Sequence, residues 1–191
     1  MKLDDKCSKH FIYRSLIECG ETCQSLGISN LPLDSASWDA LAALARELLD
    51  PVVERFGEIT LTYGFCSPEL AIVRKRLASA NHQIAAIYPS LDQHACYELN
   101  QKKERVCTRG GAACDFLVPD ISSLEISLWI AEHLPFDRLY FYAPDRPIHL
   151  SYNSSGGCQQ VSVMQPRKAG RGYVPATMTA TRFLERFGNE S

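Results

Sequence analysis

The segment Arg138-Leu-Tyr-Phe-Tyr-Ala-Pro-Asp-Arg-Pro-Ile-His-Leu-Ser-Tyr152 decides the fold class of this chain. Residues 138–142 and 148–152 are rich in aromatic and branched side chains and alternate in polarity, which is typical of half-buried strands. Two prolines bracket the turn between them, so the segment predicts two neighbouring strands of an antiparallel sheet. Arg138, Tyr140 and Tyr142 share one face of the first strand, where they either line a cleft or are ordinary half-exposed strand residues.

Further strands and helices surround this segment. Upstream, Glu58–Tyr63 and Ala113–Val118 have the composition of strands. Apolar residues at three- and four-residue spacing predict a helix of about 19 residues, which begins after an N-cap at Ser37 and ends before Gly57. The remaining predicted elements are helices at 8–19, Ser67–Ala80, Leu124–Leu134 and Thr179–Phe187, and a strand at Gln160–Met164. This order predicts an α+β domain in which helices flank a small antiparallel sheet.

The composition indicates a single folded domain of 191 residues. The chain has 20 Lys and Arg against 22 Asp and Glu, so its net charge of −2 excludes a disordered polyelectrolyte and disfavours nucleic acid as a partner. No apolar run reaches the roughly 18 residues of a membrane helix, and the charged N-terminus lacks the apolar stretch of a signal peptide. We therefore expect a cytoplasmic protein with no membrane contact, whose eight cysteines are mostly buried, reduced thiols.

Three side chains stand out as candidates for chemistry. His94 lies in a polar stretch, His149 lies within a predicted strand, and Asp115 begins a strand directly after the small residues Gly110-Gly-Ala-Ala-Cys114. Two imidazoles and one carboxylate form a complete protein ligand set for catalytic zinc and leave one position for water. A histidine on a strand is also compatible with a hydrogen-bonded residue of the core, so the pattern by itself leaves both interpretations open.

Four short stretches follow one another along the chain: Ile59-Thr-Leu-Thr-Tyr-Gly-Phe-Cys-Ser-Pro68, Asp92-Gln-His94, Gly111-Ala-Ala-Cys-Asp115-Phe and Ile148-His149-Leu-Ser. In kind and order they resemble the motifs of the D-alanyl-D-alanine carboxypeptidase and dipeptidase family of zinc peptidases, which shares its fold with the hedgehog signalling domain. The resemblance covers about residues 38–152 and implies that His94, Asp115 and His149 bind zinc. Residues 1–37 would then be a helical N-terminal extension, and residues 153–191 a C-terminal tail packed on the core.

The sequence departs from the family pattern in the first two motifs. The family separates its first histidine from the aspartate by seven positions, whereas 21 positions separate His94 from Asp115, so an insertion must loop out. The arginine with which the family grips its substrate falls on Cys66, and a thiol cannot clamp a carboxylate as a guanidinium does. Arg109 and Arg146 are the candidates to replace it.

A third departure concerns the catalytic acid, which the family carries three residues before its last histidine. That position is Arg146 here. Asp145 is one candidate general base, because a spacing of four would place it on the same face of a strand as His149. Glu98, four residues beyond His94 in the insertion, is the other.

The resemblance thus implies a zinc-dependent hydrolase that cleaves an amide bond in a small peptide-like substrate with activated water. Two alternatives remain open. The first is a zinc hydrolase on the same scaffold with a substrate other than murein peptides, because a fold does not determine its chemistry. The second is a catalytically degenerate module that acts through a protein partner.

Overall fold

The computed structural model describes residues 1–20, 24–25, 27–80, 88–168 and 172–188. Its helices are α1 (Tyr13–Ile17), α2 (Ser35–Leu44), α3 (Asp50–Phe56), α4 (Pro68–Ala80), α5 (Pro89–Asp92), α6 (Ser123–His133) and α7 (Ala180–Phe187). Its strands are β1 (Thr60–Tyr63), β2 (Ala112–Leu117), β3 (Arg138–Phe141), β4 (Ile148–Tyr152), β5 (Gln160–Pro166) and β6 (Tyr173–Thr179). The predicted α+β class is confirmed.

The strands form one six-stranded sheet in the order β1-β2-β4-β3-β5-β6. All neighbours pair antiparallel except β3 and β5, which run parallel. The prediction of a small antiparallel sheet was therefore wrong in both size and strand direction. The reason is topological: β4 already has β2 and β3 on its two sides, so the returning chain adds β5 beyond β3, where it runs parallel to it.

The last part of the sheet is the hairpin of β5 and β6, which pair over seven residues from Gln160–Thr179 to Pro166–Tyr173. The sequence predicted β5 but not β6. Pro175 lies within β6, and proline inside a run of residues argues against a strand unless the strand is at an edge. β6 is the edge strand of the sheet, so the proline is tolerated. Residues beyond 153 thus contribute two strands and α7 to the same sheet and core.

The long helix predicted from Ser37 to Phe56 is present, but its N-cap lies three residues earlier and a π-helical turn interrupts it. Asp34 is its N-cap, because its side chain accepts a hydrogen bond from the backbone N–H of Ala36 at 2.9 Å. A π-helical turn, Ala45–Leu49, separates α2 from α3. It directly precedes Pro51, which has no N–H and whose ring crowds the carbonyl four residues earlier, so the helix widens there.

Three of the helices pack on one face of the sheet. α2 contacts β2 and β4, α6 contacts β3, and α7 contacts β5 and β6. Between these helices and the sheet lies the main hydrophobic core, to which the sheet contributes buried apolar residues such as Phe116, Leu139 and Leu150. Because side chains alternate across a strand, the neighbouring positions of each strand form the opposite face. None of the helices in the described part of the chain is long and apolar enough to cross a membrane.

Seven of the eight cysteines lie in the described part of the chain, and no disulfide joins any two of these seven. Cys23 lies outside the described residues. Five of the seven are buried, which agrees with the expectation of small hydrophobic residues. These are Cys7, Cys66, Cys96, Cys107 and Cys114.

Candidate metal centre

One row of side chains crosses the sheet on the face opposite α2, α6 and α7. It is defined by the cross-strand register, because residues paired directly across antiparallel or parallel neighbours point to the same side. His149 of β4 pairs with Asp115 of β2 on one side and with Tyr140 of β3 on the other. Tyr63 of β1 extends the row beyond Asp115, and Ser162 of β5 extends it beyond Tyr140. Strand register alone therefore brings Asp115 and His149 side by side.

His94 reaches this row from the segment that follows α5. The backbone N–H of Cys66 donates to the carbonyl of His94 at 2.9 Å, which ties the segment to the loop after β1. Gln93, in the left-handed region with a φ of 65°, donates from Nε2 to the carbonyl of Gly110 at 2.7 Å. The insertion predicted between His94 and Asp115 thus begins and ends close to the sheet. Within it, Leu99 and Arg105 form an isolated antiparallel β-bridge.

The three predicted ligands converge. Nε2 of His94 lies 3.3 Å, and Nδ1 of His149 lies 2.8 Å, from the same Oδ1 of Asp115. One donor atom from each of the three residues lies within 4.8 Å of the other two. Among the described residues this is the one group of three or more His, Cys, Asp or Glu side chains arranged to hold a metal ion. The predicted convergence is confirmed, and the cluster can hold a metal.

The chemistry of His94 fits a metal ligand. Its Nδ1 lies 2.8 Å from the carbonyl oxygen of Gly64, which can only accept, so Nδ1 carries a proton. In the neutral ring, Nε2 then presents its lone pair to the Asp115 carboxylate, and two acceptors need a proton or a cation between them. A metal-binding histidine characteristically donates its other N–H to a carbonyl or carboxylate, as His94 does to Gly64.

His149 differs from His94, because its second ring nitrogen has no carbonyl or carboxylate partner in the described part of the chain. Its Nδ1 faces Asp115, while its Nε2 is buried and has no hydrogen-bond partner among the described residues. The ring stacks on Tyr140 with centroids 4.5 Å apart and planes 19° apart, and it meets the His94 ring edge-on at 4.9 Å. Stacking holds the imidazole in the orientation that directs Nδ1 at Asp115, so the ligand geometry is formed in advance.

The cluster is electrostatically coupled. Burial disfavours the protonated form of His94, but the carboxylates of Asp115 and Asp92 outweigh burial and raise the pKa of His94 to about 9. Burial would raise the pKa of Asp115, but the two imidazoles outweigh it and hold that pKa well below its ordinary value. The site therefore retains a carboxylate, the harder and charged member of the ligand set, across the physiological range.

Two residues near the cluster were not assigned from the sequence. Oδ1 of Asp92 accepts a hydrogen bond from the backbone N–H of His94 at 3.4 Å, and its negative charge helps to raise the pKa of His94. Tyr63 meets the His94 ring edge-on at 4.8 Å, and burial raises the pKa of its hydroxyl. Asp92 stands in the quoted histidine motif, so its position two residues before His94 was the available signal.

The candidate catalytic residues lie in different places. Glu98 is buried, and its Oε1 accepts hydrogen bonds from the backbone of Leu33 and Asp34 and from the hydroxyl of Ser37. Glu98 thus anchors the start of α2.

Asp145 and Arg146 are exposed in the turn between β3 and β4. Because β4 begins only at Ile148, strand alternation does not extend back to Asp145. Arg109, partly buried, precedes β2, and its charge acts on the Tyr140 hydroxyl. Cys66 is fully buried.

Comparison with protein-family models, with curated proteins and with solved structures found no match to this chain.

Proposed function

We propose that this protein is a zinc-dependent hydrolase that cleaves an amide bond in a small peptide-like molecule. The observation that supports it is the convergence of His94, Asp115 and His149 on the polar face of the sheet, with His94 oriented by the Gly64 carbonyl. A two-histidine, one-carboxylate set suits zinc and leaves one coordination position for solvent or substrate. Zinc in such a site lowers the pKa of water toward about 7 and polarises a carbonyl.

The protein side chains would then supply positioning and proton transfer. Asp115 and His149 are held by their strands, and Tyr140 fixes the His149 ring by stacking. Asp92, which contacts the backbone of His94, is our candidate for the carboxylate that accepts the proton of the attacking water. This assignment adds Asp92 to the earlier candidates Asp145 and Glu98. It is favoured because Asp145 is exposed in a turn and Glu98 is engaged by α2.

A second candidate function is a hydrolase with the same metal centre and a substrate other than D-alanyl-D-alanine peptides. The observation that favours it is the burial of Cys66 at the position of the substrate-gripping arginine of the resembled family. A buried, uncharged thiol offers no partner for a substrate carboxylate on that side of the site.

The test is to load the full-length protein with zinc and to assay D-Ala-D-Ala together with a panel of other dipeptides and acylated amino acids. We expect metal-dependent hydrolysis of at least one amide. Asp115→Ala and His149→Ala should lose both bound zinc and activity. His133→Ala is the matched control, because His133 is exposed on α6 and stacks on Trp129. Full zinc occupancy in both ligand variants would contradict the site, and zinc binding without any amide cleavage would favour the partner-binding module.

A further inference from the structure

A positively charged region lies beside the metal centre, on the β3 side. Arg138 and Tyr140 are two residues apart on β3 and therefore share a face, about 7 Å apart along the strand. Tyr140 of β3 stacks on His149 of β4. Arg138 of β3 pairs with Ser151 of β4, which lies two residues after His149. Arg138 is therefore a neighbour of the candidate ligand His149 on the polar face of the sheet.

One nitrogen of the Arg138 guanidinium lacks a hydrogen-bond acceptor in the described part of the chain. The backbone N–H of Arg138 donates to Ser151 Oγ at 3.1 Å, which holds the strand position. Its Nε is buried and has no hydrogen-bond partner among the described residues. A buried donor left without an acceptor is costly, and the cost is larger for a charged group. The side chain of Arg138 thus has an unsatisfied N–H donor beside the metal centre.

Arg109 adds a second positive charge to the same region. Arg109 forms a side-chain hydrogen bond with the Tyr140 hydroxyl. Burial raises the pKa of this hydroxyl, and the charges of Arg109 and Arg138 act against that rise. Neither arginine forms an ion pair with a carboxylate in the described part of the chain. Arg14 provides the contrast, because it binds both Asp4 and Glu18.

We propose that Arg138 and Arg109 bind an anionic group of the substrate, a carboxylate, beside Tyr140 on the β3 side of the metal centre. Guanidinium groups bind carboxylates with charge-assisted and often bidentate hydrogen bonds. The sheet order places His149 of β4 between this region and the loop after β1 that carries Cys66. The anionic group would therefore lie on the opposite side of the metal from the arginine position of the resembled family. The link to catalysis rests on the proposed function, whereas the binding of an anion does not.

The binding test uses the metal-free, full-length protein and N-acetylglycine as the probe, followed by calorimetry or NMR titration. We expect Arg138→Gln and Arg109→Gln each to weaken binding by about tenfold or more, because a hydrogen bond to a charged group is lost. Arg182→Gln, on the exposed surface of α7, is the matched control and should stay within about twofold. Circular dichroism confirms folding, and if Arg138→Gln does not fold, the loop variant Arg109→Gln still decides the outcome.

Binding within twofold of the wild type in both folded variants would overturn the proposal. Tighter binding of inorganic phosphate than of N-acetylglycine, lost in the same variants, would overturn the assignment to a carboxylate. The zinc-loaded protein separates the two proposals. Arginine-dependent anion binding without amide cleavage would refute the proposed function and leave the anion site standing. Cleavage of an acylated amino acid with a free carboxylate, unaffected by both Arg138→Gln and Arg109→Gln, would support the proposed function and refute the anion site.

Discussion

At the scale of single residues, the candidate metal centre depends on backbone groups as much as on side chains. The carbonyl of Gly64 sets the tautomer of His94, and a Cβ at Gly64 would collide with the backbone of Leu16. Glycine at this position therefore lets the chain approach closely enough for its carbonyl to reach the imidazole. A residue with no side chain is thus part of the site, because it fixes which nitrogen of His94 faces Asp115.

Asp92→Asn tests the assignment of the proton acceptor. We expect the turnover number of the zinc-loaded enzyme to fall by about 10²- to 10⁴-fold, because the amide cannot accept a proton from water. Zinc content should stay unchanged, since Asp92 is not one of the three proposed ligands and its carboxylate accepts a hydrogen bond from the backbone N–H of His94. Asp145→Asn is the comparison, because Asp145 is exposed in a turn. A large loss in Asp145→Asn with full activity in Asp92→Asn would reverse the two assignments.

Glu98→Gln tests a residue that we assign to stability. Oε1 of Glu98 accepts three hydrogen bonds at the start of α2, and an amide group accepts them more weakly than a carboxylate. We expect the free energy of unfolding to fall by about 1–3 kcal/mol in urea denaturation. Glu104→Gln serves as the control, because Glu104 is exposed in the same insertion. An unchanged stability together with lost activity would instead make Glu98 a catalytic group.

At the scale of secondary structure, β2, β4 and β3 act as a rigid frame. Their register places Asp115, His149 and Tyr140 in one row, so three strands fix three site residues without any loop. Only His94 depends on irregular chain, and that chain is anchored to the frame by backbone hydrogen bonds. Sites built on strands are held more accurately than sites built on loops, which suits a centre whose ligand distances allow little error.

Gly111→Ala tests the close approach between the chain before β2 and the end of β4. Gly111 precedes β2 with a φ of 100°, and an added Cβ would collide with the backbone carbonyl of Tyr152 at the end of β4. We expect a loss of about 3 kcal/mol in the free energy of unfolding, and a lower affinity for zinc. Gly57→Ala is the matched control: its φ is 92°, but nothing lies within 4 Å of the added Cβ. It should lose only about 1 kcal/mol. Equal losses in the two variants would show that the close approach to Tyr152 is unimportant.

At the scale of the whole molecule, the metal-free protein should have a pH-dependent stability. The pKa of His94 is raised from 6.5 to about 9 in the folded state, where Asp115 and Asp92 outweigh burial, so the folded protein binds this proton more tightly than the unfolded chain. The stabilisation is therefore complete below pH 6.5 and is lost as the pH rises through about 9.

Urea denaturation in the presence of a chelator, at several pH values between 6 and 10, measures this slope. We expect the free energy of unfolding of the wild type to fall across that range. His94→Gln provides the control, because it removes the titrating ring and should flatten the corresponding part of the curve. A wild-type slope that persists unchanged in His94→Gln would assign it to other groups.

Much of this molecule follows from local patterns in the chain. The helix Pro68–Ala80, the helix Ser123–His133 and the strand Ile148–Tyr152 lie within a residue or so of their predicted bounds, because each has a clear cap or alternating pattern. β6 was missed because an edge strand needs little internal hydrophobicity and tolerates proline. The mixed sheet was missed because strand order is a property of several distant segments together.

The sequence by itself determined the fold class and the places of most helices and strands, because these depend on neighbouring residues. It also indicated His94, Asp115 and His149 as candidate metal ligands, from the chemistry of each side chain and the resemblance to the zinc peptidases. The tertiary structure decided which of these groups meet. Strand register places Asp115 beside His149. The contact of Nδ1 with the Gly64 carbonyl orients His94, and Glu98 accepts a hydrogen bond from Ser37 of α2. Such contacts join residues far apart in the chain, and their geometry is set by the balance of packing and hydrogen bonding over the whole domain.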